Sequence, residues 1–447
     1  MRIGLRTTLA TSLAAAVAAV LLVNPTAGAA DGCGTNTGRG CAPASKRVDL
    51  AVPSFSNPTV IDNPLFPISD LHSVLLLGHV DGKPFRTETT LLPQTESVEW
   101  RGQQIEVRIS QYMAYLNGQI NEVALDRYAQ ADDGSVWYFG EDVFDYEHGT
   151  VALTEGTWLA GRDGPPAMIM PGHPNVGDVY RTENAPGIVF EEVTVDSVGK
   201  TVEGPLGPVP GAAVVKELHS DGTTERKLFA SGYGEFRTSG GGDLEALALA
   251  VPKDALPGLP SPELTTLTTG AGAVLEAARL GDWVGAATTT DHMEAAWKVL
   301  RSSEPPPKPV AALVTRSLRA LRDAVRAHDA TQSARVAVAL GQSALDLELR
   351  HRPPSEIDVA RFELWTQQLR IDAAARDRRA VAGDVATLEW IRDRFPAGIG
   401  PDARAEIDAR LRDLRVATDA GNLPTAADHA ARLGARMRHL VARQPVG

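Results

Sequence analysis

The residues of this chain that are best suited to hold a metal ion lie in the segment PAMIMPGHP, which contains Met168, Met170 and His173. Two thioethers and an imidazole are ligands of the kind that Cu(I) prefers. If the segment is a strand, Met168 and Met170 lie on one face, because side chains alternate along a strand. Packing in a hydrophobic core would give the same placement. The segment therefore predicts either a copper site or a pair of core methionines.

A second metal hypothesis concerns Asp291 and His292, an adjacent carboxylate and imidazole in the segment TTTDHMEAAW. A copper or iron site there would need further ligands from neighbouring helices, and Asp428 with His429 forms another such pair. The alternative is a solvated helix face, on which charged residues are common. We expect no cofactor, and we keep copper or iron as the alternative.

A run of acids follows Trp137 in the segment VWYFGEDVFDYEHG and consists of Glu141, Asp142, Asp145 and Glu147. Paired carboxylates beside an aromatic wall could hydrolyse a glycosidic bond. Adjacent acids in a hairpin would otherwise face water. The chain contains no Gly-x-Ser-x-Gly and no His-Glu-x-x-His sequence. We therefore expect a protein without catalytic activity and keep a secreted hydrolase as an alternative.

The first 30 residues have the order of a secretory signal peptide. Arg2 and Arg6 precede an apolar run over residues 9–23, and the small residues Ala27 and Ala29 follow it. The apolar run is shorter than the ~20 residues that a spanning helix needs. We therefore expect cleavage near residue 30, export to the cell envelope or beyond, and no transmembrane segment in the mature protein.

Both cysteines, Cys33 and Cys41, lie in a glycine-rich tail that we assign to residues 31–47. In an oxidising compartment two such thiols are expected to close a small disulfide loop. Two thiolates alone would be an incomplete ligand set for zinc. The tail therefore predicts a disulfide between these residues and no catalytic cysteine.

The formal net charge of −12 is unevenly distributed along the chain. Residues 263–447 contain 26 basic and 24 acidic residues, which leaves 18 basic and 32 acidic residues before them from totals of 44 and 56. The front part therefore has a net charge of −14 and should repel nucleic acid and anionic lipid surfaces. We expect no nucleic-acid partner.

Residues 252–262 form a linker that divides the chain, because four prolines interrupt both helix and sheet there. Residues 48–251 before it predict a β-domain. Asp81-Gly82 and Asn117-Gly118 supply the positive φ angles of tight hairpin turns. Ile105, Val107 and Ile109 alternate with polar residues, which indicates one buried face. Successive hairpins predict an antiparallel meander that curls into a barrel or a half-barrel.

This front part resembles domains of uncharacterised secreted bacterial proteins. The resemblance rests on the stretches DGSVWYFGEDVFDYEHG, GPPAMIMPGHPNVGDVYRTE and ERKLFASGYGEFRT, and it covers somewhat under half of the chain. It implies a curved sheet of the lipocalin or lipoprotein-carrier type, and such sheets bind apolar ligands. It implies no activity, because none is established for those domains.

Residues 263–443 predict an α-helical domain. Turns at Gly281-Asp282, His328-Asp329, Arg376-Asp377 and Gly421-Asn422 recur at offsets of 47, 48 and 45 residues between the second members of these pairs. The carboxylate of Asp282 can cap the helix that follows it. Ser261-Pro262, Ser355 and Gly400-Pro401 add further helix starts. The pattern predicts four αα-hairpins that pack on one another as a solenoid or as a bundle.

The predicted fold class is therefore α+β in two segregated domains, an antiparallel β-meander followed by all-α hairpins. We expect a secreted, non-catalytic binding or scaffold protein. The β-domain would hold a small or apolar ligand, and the helical domain would dock an envelope partner. An envelope protein that binds copper or iron is the alternative.

Overall fold

The computed structural model describes residues 41–396 and 398–441, and these fold into an antiparallel sheet followed by eight helices. The predicted fold class is confirmed. The last strand ends at Val251 and the first helix begins at Pro262, so the proline-rich segment connects the sheet to the helices. In the described part of the chain, no helix is both long and apolar enough to cross a membrane.

The described part of the β-domain contains fourteen strands. In chain order they are β1 (Ser73–Val80), β2 (Lys83–Trp100), β3 (Gln103–Leu116), β4 (Gln119–Gln130), β5 (Val136–Glu147), β6 (Thr150–Leu153), β7 (Trp158–Leu159), β8 (Ala167–Met170), β9 (Val179–Ala185), β10 (Val189–Glu203), β11 (Pro208–His219), β12 (Thr224–Ala230), β13 (Gly234–Gly240) and β14 (Asp243–Val251).

The sheet has β1 near its middle, hydrogen-bonded to β2 on one side and to β14 on the other. The neighbours run from β2 to β6 in one direction and from β14 down to β9 in the other, while β7 and β8 pair with β5. Since β6 and β9 stand at opposite ends of this order, the sheet is open. The predicted meander is confirmed, and the sheet is not a closed barrel.

The hairpin turns follow the glycine pairs that the sequence indicates. Asn117 and Gly118 have φ angles of 52° and 80°, and Asp81 and Gly82 have φ angles of 51° and 70°. Two successive positive φ angles match the twist of the flanking strands, and asparagine, aspartate and glycine adopt them at low cost. These dipeptides therefore set where β1 ends and where β3 turns into β4.

The sheet curls so that its two wings share one interior. Tyr128 and Tyr138 from β4 and β5 belong to the same buried cluster as Tyr180 and Phe229 from β9 and β12. The opposite face of the central strands packs on helices, because Leu75 of β1 lies in the cluster that contains the first helices. Alternation along the strands thus sends one set of side chains into the interior and the other toward the helical domain.

The helical domain contains eight helices within the described residues. They are α1 (Pro262–Leu280), α2 (Trp283–Ser303), α3 (Lys308–Arg326), α4 (Ala330–Glu348), α5 (Pro354–Ala374), α6 (Arg378–Asp393), α7 (Pro401–Asp419) and α8 (Leu423–Val441).

The four recurring turns have a common geometry. The residue before each cap has a positive φ angle, which is 74° at Gly281, 54° at His328, 59° at Arg376 and 67° at Gly421. The side chains of the next residues, Asp282, Asp329, Asp377 and Asn422, then accept hydrogen bonds from backbone amides of the following helix. The predicted cap at Asp282 is confirmed, and the other three turns have the same cap. The start of α5 differs from its prediction, since its cap position is Pro353 rather than Ser355.

The eight helices form two groups of four. α1 packs against both α2 and α4, and α5 packs against both α6 and α8, so each group closes on itself. Met293, Trp297 and Leu300 form the expected buried stripe in the first group. Phe362 and Leu369 are buried in the second group.

Trp365 packs against the core of the second helix group, as the stripe on α5 predicts, and it also reaches the sheet. Its ring stacks on Tyr115 of β3, with ring centroids 5.6 Å apart, and so packs at the sheet. A large ring on this helix therefore packs both against the core of the second helix group and at the boundary between the domains.

A buried network of charges joins the two domains. Arg86 of β2 donates two hydrogen bonds to Asp346 of α4, at 2.8 and 2.7 Å. Glu88, two residues along the same strand, accepts from Arg394 at 2.8 Å and forms an ion pair with Arg361 at 3.4 Å. The arginines and carboxylates of this network come from both domains and neutralise one another. The network therefore holds the two domains in one arrangement.

Candidate cation site inside the curved sheet

Three neighbouring strands carry charged side chains into the interior of the sheet. Val189, Glu191, Val193 and Val195 occupy alternate positions of β10 and are all buried. Since residues two apart share a face, the alternation that buries the valines also buries the Glu191 carboxylate. His219 lies directly opposite Glu191 across the β10–β11 pairing. Strand register therefore brings an acid and an imidazole together.

The cluster contains Glu191, Glu217 and His219, with one possible ligand atom from each lying within 4.8 Å of the others. His219 Nδ1 is 3.1 Å from Glu191 Oε1, and His219 Nε2 is 3.7 Å from Glu225 Oε2. Lys227 Nζ of β12 is 2.5 Å from Glu217 Oε2. Both cations of the cluster thus contact carboxylates in a water-poor interior.

The protonation of the cluster reflects burial together with these contacts. Burial alone would lower the pKa of His219, but its hydrogen bonds to Glu191 and Glu225 raise it to about 10. Burial raises the pKa of Glu217 to about 7, and the charge of Glu191 acts in the same direction. Burial would also lower the pKa of Lys227, yet the surrounding carboxylates hold it well above its usual value. At neutral pH both His219 and Lys227 are therefore positively charged.

Acids from the other wing of the sheet reach the same interior. Asp126 of β4 is buried and accepts a hydrogen bond of 2.7 Å from Tyr138. Glu141 of β5 is also buried, and burial followed by the charge of Glu183 raises its pKa well above the usual range. Carboxyl groups of this kind are retained in an interior at a cost in free energy, which makes the interior a candidate functional site.

A cavity of about 70 Å³ lies among these residues. One lysine, Lys227, and five acids line it, namely Asp126, Glu183, Glu191, Glu217 and Glu235. Aromatic rings complete its wall, including Tyr128, Tyr138, Tyr180 and Phe229. Carboxylates attract cations directly, and the faces of aromatic rings do so through their quadrupoles. The lining therefore favours a positively charged ligand.

The donor set fits a divalent transition metal. Two carboxylates and an imidazole are ligands that zinc, manganese and iron accept in proteins. The exchangeable positive charge in the cluster is the proton on His219, because a neutral imidazole is the form that binds a metal. A buried water needs ~10–15 Å³, so the cavity can hold an ion with a few waters but not a long apolar chain.

The residues of the predicted copper site lie elsewhere. Met168 and Met170 are on β8, opposite Trp137 and Val136 of β5, and both are buried in the core of the sheet. His173 is exposed in the segment that follows β8. The two thioethers share a face as expected and are packed as core side chains. The copper hypothesis stays a prediction.

Asp291 and His292 are both exposed on α2, next to the buried Met293. Their placement is that of a solvated helix face, and a metal there stays a prediction. Cys33 lies outside the described residues, so the disulfide between Cys33 and Cys41 also stays a prediction. The expected signal peptide lies outside them as well.

The acidic run in β5 divides between two faces of the sheet. Glu141 is buried in the interior, while the next residue, Asp142, is half-buried on the other face and accepts a hydrogen bond of 2.6 Å from Arg127. Successive side chains of a strand point in opposite directions. These two acids therefore do not form the pair that glycoside hydrolysis would use.

Sequence reasoning missed Glu191, Glu217, His219 and Lys227. A signal was present, since Glu191 stands in the same alternation as Val189 and Val193. Lys227 likewise stands two residues before Phe229. A charged residue in the buried phase of a strand marks an interior polar group. The pairing of β10, β11 and β12 was needed to show that these groups meet.

Comparison with known proteins does not assign the chain to a family. No protein-family model matches the chain, and a search of curated proteins finds no match either. The resemblance to secreted β-meander domains therefore stays a prediction, and function has to be argued from the site.

Proposed function

We propose that this chain is an exported, non-catalytic binding protein whose β-domain binds a divalent transition-metal ion. The observation that carries the proposal is the cluster of Glu191, Glu217 and His219, whose ligand atoms lie within 4.8 Å of one another. The binding role expected from the sequence is kept. The ligand of the β-domain becomes a cation instead of an apolar molecule.

The chemistry of the lining supports a cation over an apolar ligand. Five acids and one lysine line a cavity of about 70 Å³. An apolar molecule there would remove charged groups from water without replacing their hydrogen bonds, which is costly. A divalent ion supplies the positive charge that this excess of carboxylates lacks.

Metal binding would proceed with loss of the proton on His219. The imidazole and the Glu191 carboxylate, now joined by a hydrogen bond of 3.1 Å, would both become ligands. Lys227 would keep the other acids of the cavity partly neutralised, because the charges of Glu217 and Glu235 already hold its proton. The site would thus release protons in exchange for the metal ion.

The remaining parts of the proposal rest on the sequence. The basic, apolar and small-residue order of residues 1–30 supports export. Two closed helix groups with many exposed charges support a scaffold that docks an envelope partner.

Zinc titration of the protein purified without chelators tests the metal site. We expect one zinc per chain by calorimetry, and at least a tenfold weaker affinity in both Glu217→Gln and His219→Gln. Glu99→Gln and His72→Gln make the same chemical changes at exposed positions of the same domain. We expect these two variants to bind zinc like the natural chain.

The proton balance gives a second readout. Because zinc must displace the proton of His219, whose pKa is about 10, and the proton of Glu217, whose pKa is about 7, between one and two protons should be released per zinc at pH 7. The affinity should rise by at least about tenfold per pH unit between about pH 6 and 8. Absence of binding by zinc, cobalt and manganese would overturn the proposal, and so would an unchanged affinity in His219→Gln.

A further inference from the structure

A second, much larger cavity lies between the two domains. It has a volume of about 970 Å³ and is open to solvent. Strands β1 to β4 and two hairpin turns line one side, and helices α3 to α6 line the other. Small-molecule sites in proteins have volumes of about 300–1,000 Å³ and often lie at domain interfaces. The cleft therefore has the size and the position of a ligand site.

Two antiparallel helices present matching stripes to this cleft. Ala312, Leu313 and Arg316 of α3 line it, and so do Val338 and Gln342 of α4. Residues spaced by three or four share one face of a helix. On α3 the apolar part ends at Arg316, and on α4 Val338 is followed by Gln342. Arg335, at the other end of the α4 stripe, contacts Asp372. A wall with apolar and polar parts is the pattern that an amphiphilic ligand requires.

The polar residues Arg316 and Gln342 lie at similar positions along the axis of the α3–α4 hairpin. The turn between α3 and α4 is centred near His328, so by residue count Arg316 and Gln342 are almost level along the hairpin. Arg316 forms no ion pair with another described residue. The side-chain amide nitrogen of Gln342 is buried without a hydrogen-bond partner among them. Both are donors, and a ligand oxygen would satisfy them.

The apolar floor of the cleft comes from both domains. Phe85 of β2 is 6% exposed and Val338 is 5% exposed, and half-buried Leu313 and Trp365 lie beside them. Covering this floor with an apolar chain would remove apolar surface from water, which favours binding.

We propose that this cleft binds a single-chain amphiphile with an anionic head, either a carboxylate or a phosphate. The head would accept hydrogen bonds from Arg316 and Gln342, and the chain would lie on Phe85, Leu313 and Trp365. The proposal is independent of the cation site, which lies on the other face of the sheet.

The cleft is held open before any ligand binds. Its two walls are joined by the bidentate contact between Arg86 and Asp346, at 2.8 and 2.7 Å. Arg361, which is 1% exposed, donates to the same carboxylate at 2.7 Å. A preformed cavity binds without the entropic cost of ordering its walls.

Binding of oleate and of oleoyl lysophosphatidate to the full chain, measured by calorimetry below the concentrations at which they aggregate, tests the proposal. We expect binding of at least one of them, and at least tenfold weaker binding of oleyl alcohol, which has the chain without the charge. The ratio of the two anions tells which head the cleft prefers.

Two variants locate the site. Arg316→Gln should weaken the binding of the preferred anion at least tenfold, whereas Arg319→Gln, an exposed arginine three residues along α3, should leave it unchanged. Ala339→Trp places a large ring on an exposed position of the cleft wall and should abolish binding without unfolding the protein.

Three results would overturn the assignment. They are equal affinity for oleyl alcohol and for the tighter-binding of the two anions, equal loss of affinity in the two arginine variants, and full binding in Ala339→Trp.

Discussion

At the scale of single residues, the unusual feature of this protein is the number of carboxyl groups inside its sheet. Glu245 of β14 is fully buried, and burial followed by the charge of Glu235 raises its pKa to about 8. Thr87 donates a short hydrogen bond to it. Groups of this kind link the stability of the fold to pH.

The sign of this linkage follows from the two pKa values. The carboxyl of Glu245 titrates near 4.5 in the unfolded chain and near 8 in the folded one. Its contribution to stability is therefore complete below pH 4.5 and is lost as the pH rises to 8. We expect the free energy of unfolding of the metal-free protein to fall over this range by several kcal/mol, since one pKa unit corresponds to ~1.4 kcal/mol.

The variant Glu245→Gln removes this carboxyl and so measures its contribution to the pH dependence of stability. Chemical denaturation at pH 5 and pH 8 should give a smaller difference in unfolding free energy than in the natural chain. The exposed Glu99→Gln should keep the original difference. A pH dependence that is unchanged in Glu245→Gln would show that this carboxyl is ionised in the folded state.

At the scale of elements, the repeated turns of the helical domain explain why four hairpins form. Each turn combines a left-handed residue with a side chain that caps the next helix, as His328 and Asp329 do before α4. This unit ends one helix and begins the next within two residues. Recurrence about every 47 residues therefore makes a chain of hairpins.

Removal of one cap should have a local cost. The Asp329 carboxylate accepts a hydrogen bond of 2.9 Å from the amide of Gln332, and Asp329→Ala should lower the unfolding free energy by about 1 kcal/mol. Asp323→Ala removes an exposed carboxylate from the body of α3 and should cost less than about 0.5 kcal/mol. Urea denaturation monitored by helical circular dichroism measures both. Equal costs for the two variants would show that the cap has no special role.

At the scale of the whole molecule, buried ion pairs between the two domains couple their unfolding. Burial alone would raise the pKa of Glu88, but the charges of Arg361 and Arg86 hold it far below its usual range. Glu88 therefore stays ionised between arginines of both domains. We expect a single cooperative unfolding transition in the natural chain.

Neutralising this carboxylate should leave buried arginines without their partner. Glu88→Gln should lower the unfolding free energy by about 3–5 kcal/mol and separate the unfolding of the two domains in calorimetry. Glu203→Gln removes an exposed contact of 3.8 Å to Lys308 between the same domains, and it should cost less than about 1 kcal/mol. A loss in Glu88→Gln as small as that in Glu203→Gln would contradict the proposed role of the network.

Much of the fold could be predicted because its signals are local. The turn at Asn117-Gly118 and the cap at Asp282 each depend on a few neighbouring residues, and both are confirmed. The stripe on α5 is confirmed, but it did not show that Trp365 also packs on Tyr115, from a strand 250 residues earlier in the chain. A periodic pattern shows that a side chain is covered but not by which element.

The candidate site was hidden from the sequence for the same reason. Alternation by itself determined that Glu191 and Lys227 belong to the buried phases of their strands. Strand register and the curl of the sheet decided that these residues meet Glu217 around one cavity, with His219 beside Glu191 and Glu217. The docking of two domains likewise created the cleft beside Arg316. Local chemistry along the chain determines which face a residue occupies, while only long-range packing decides which faces enclose a common space.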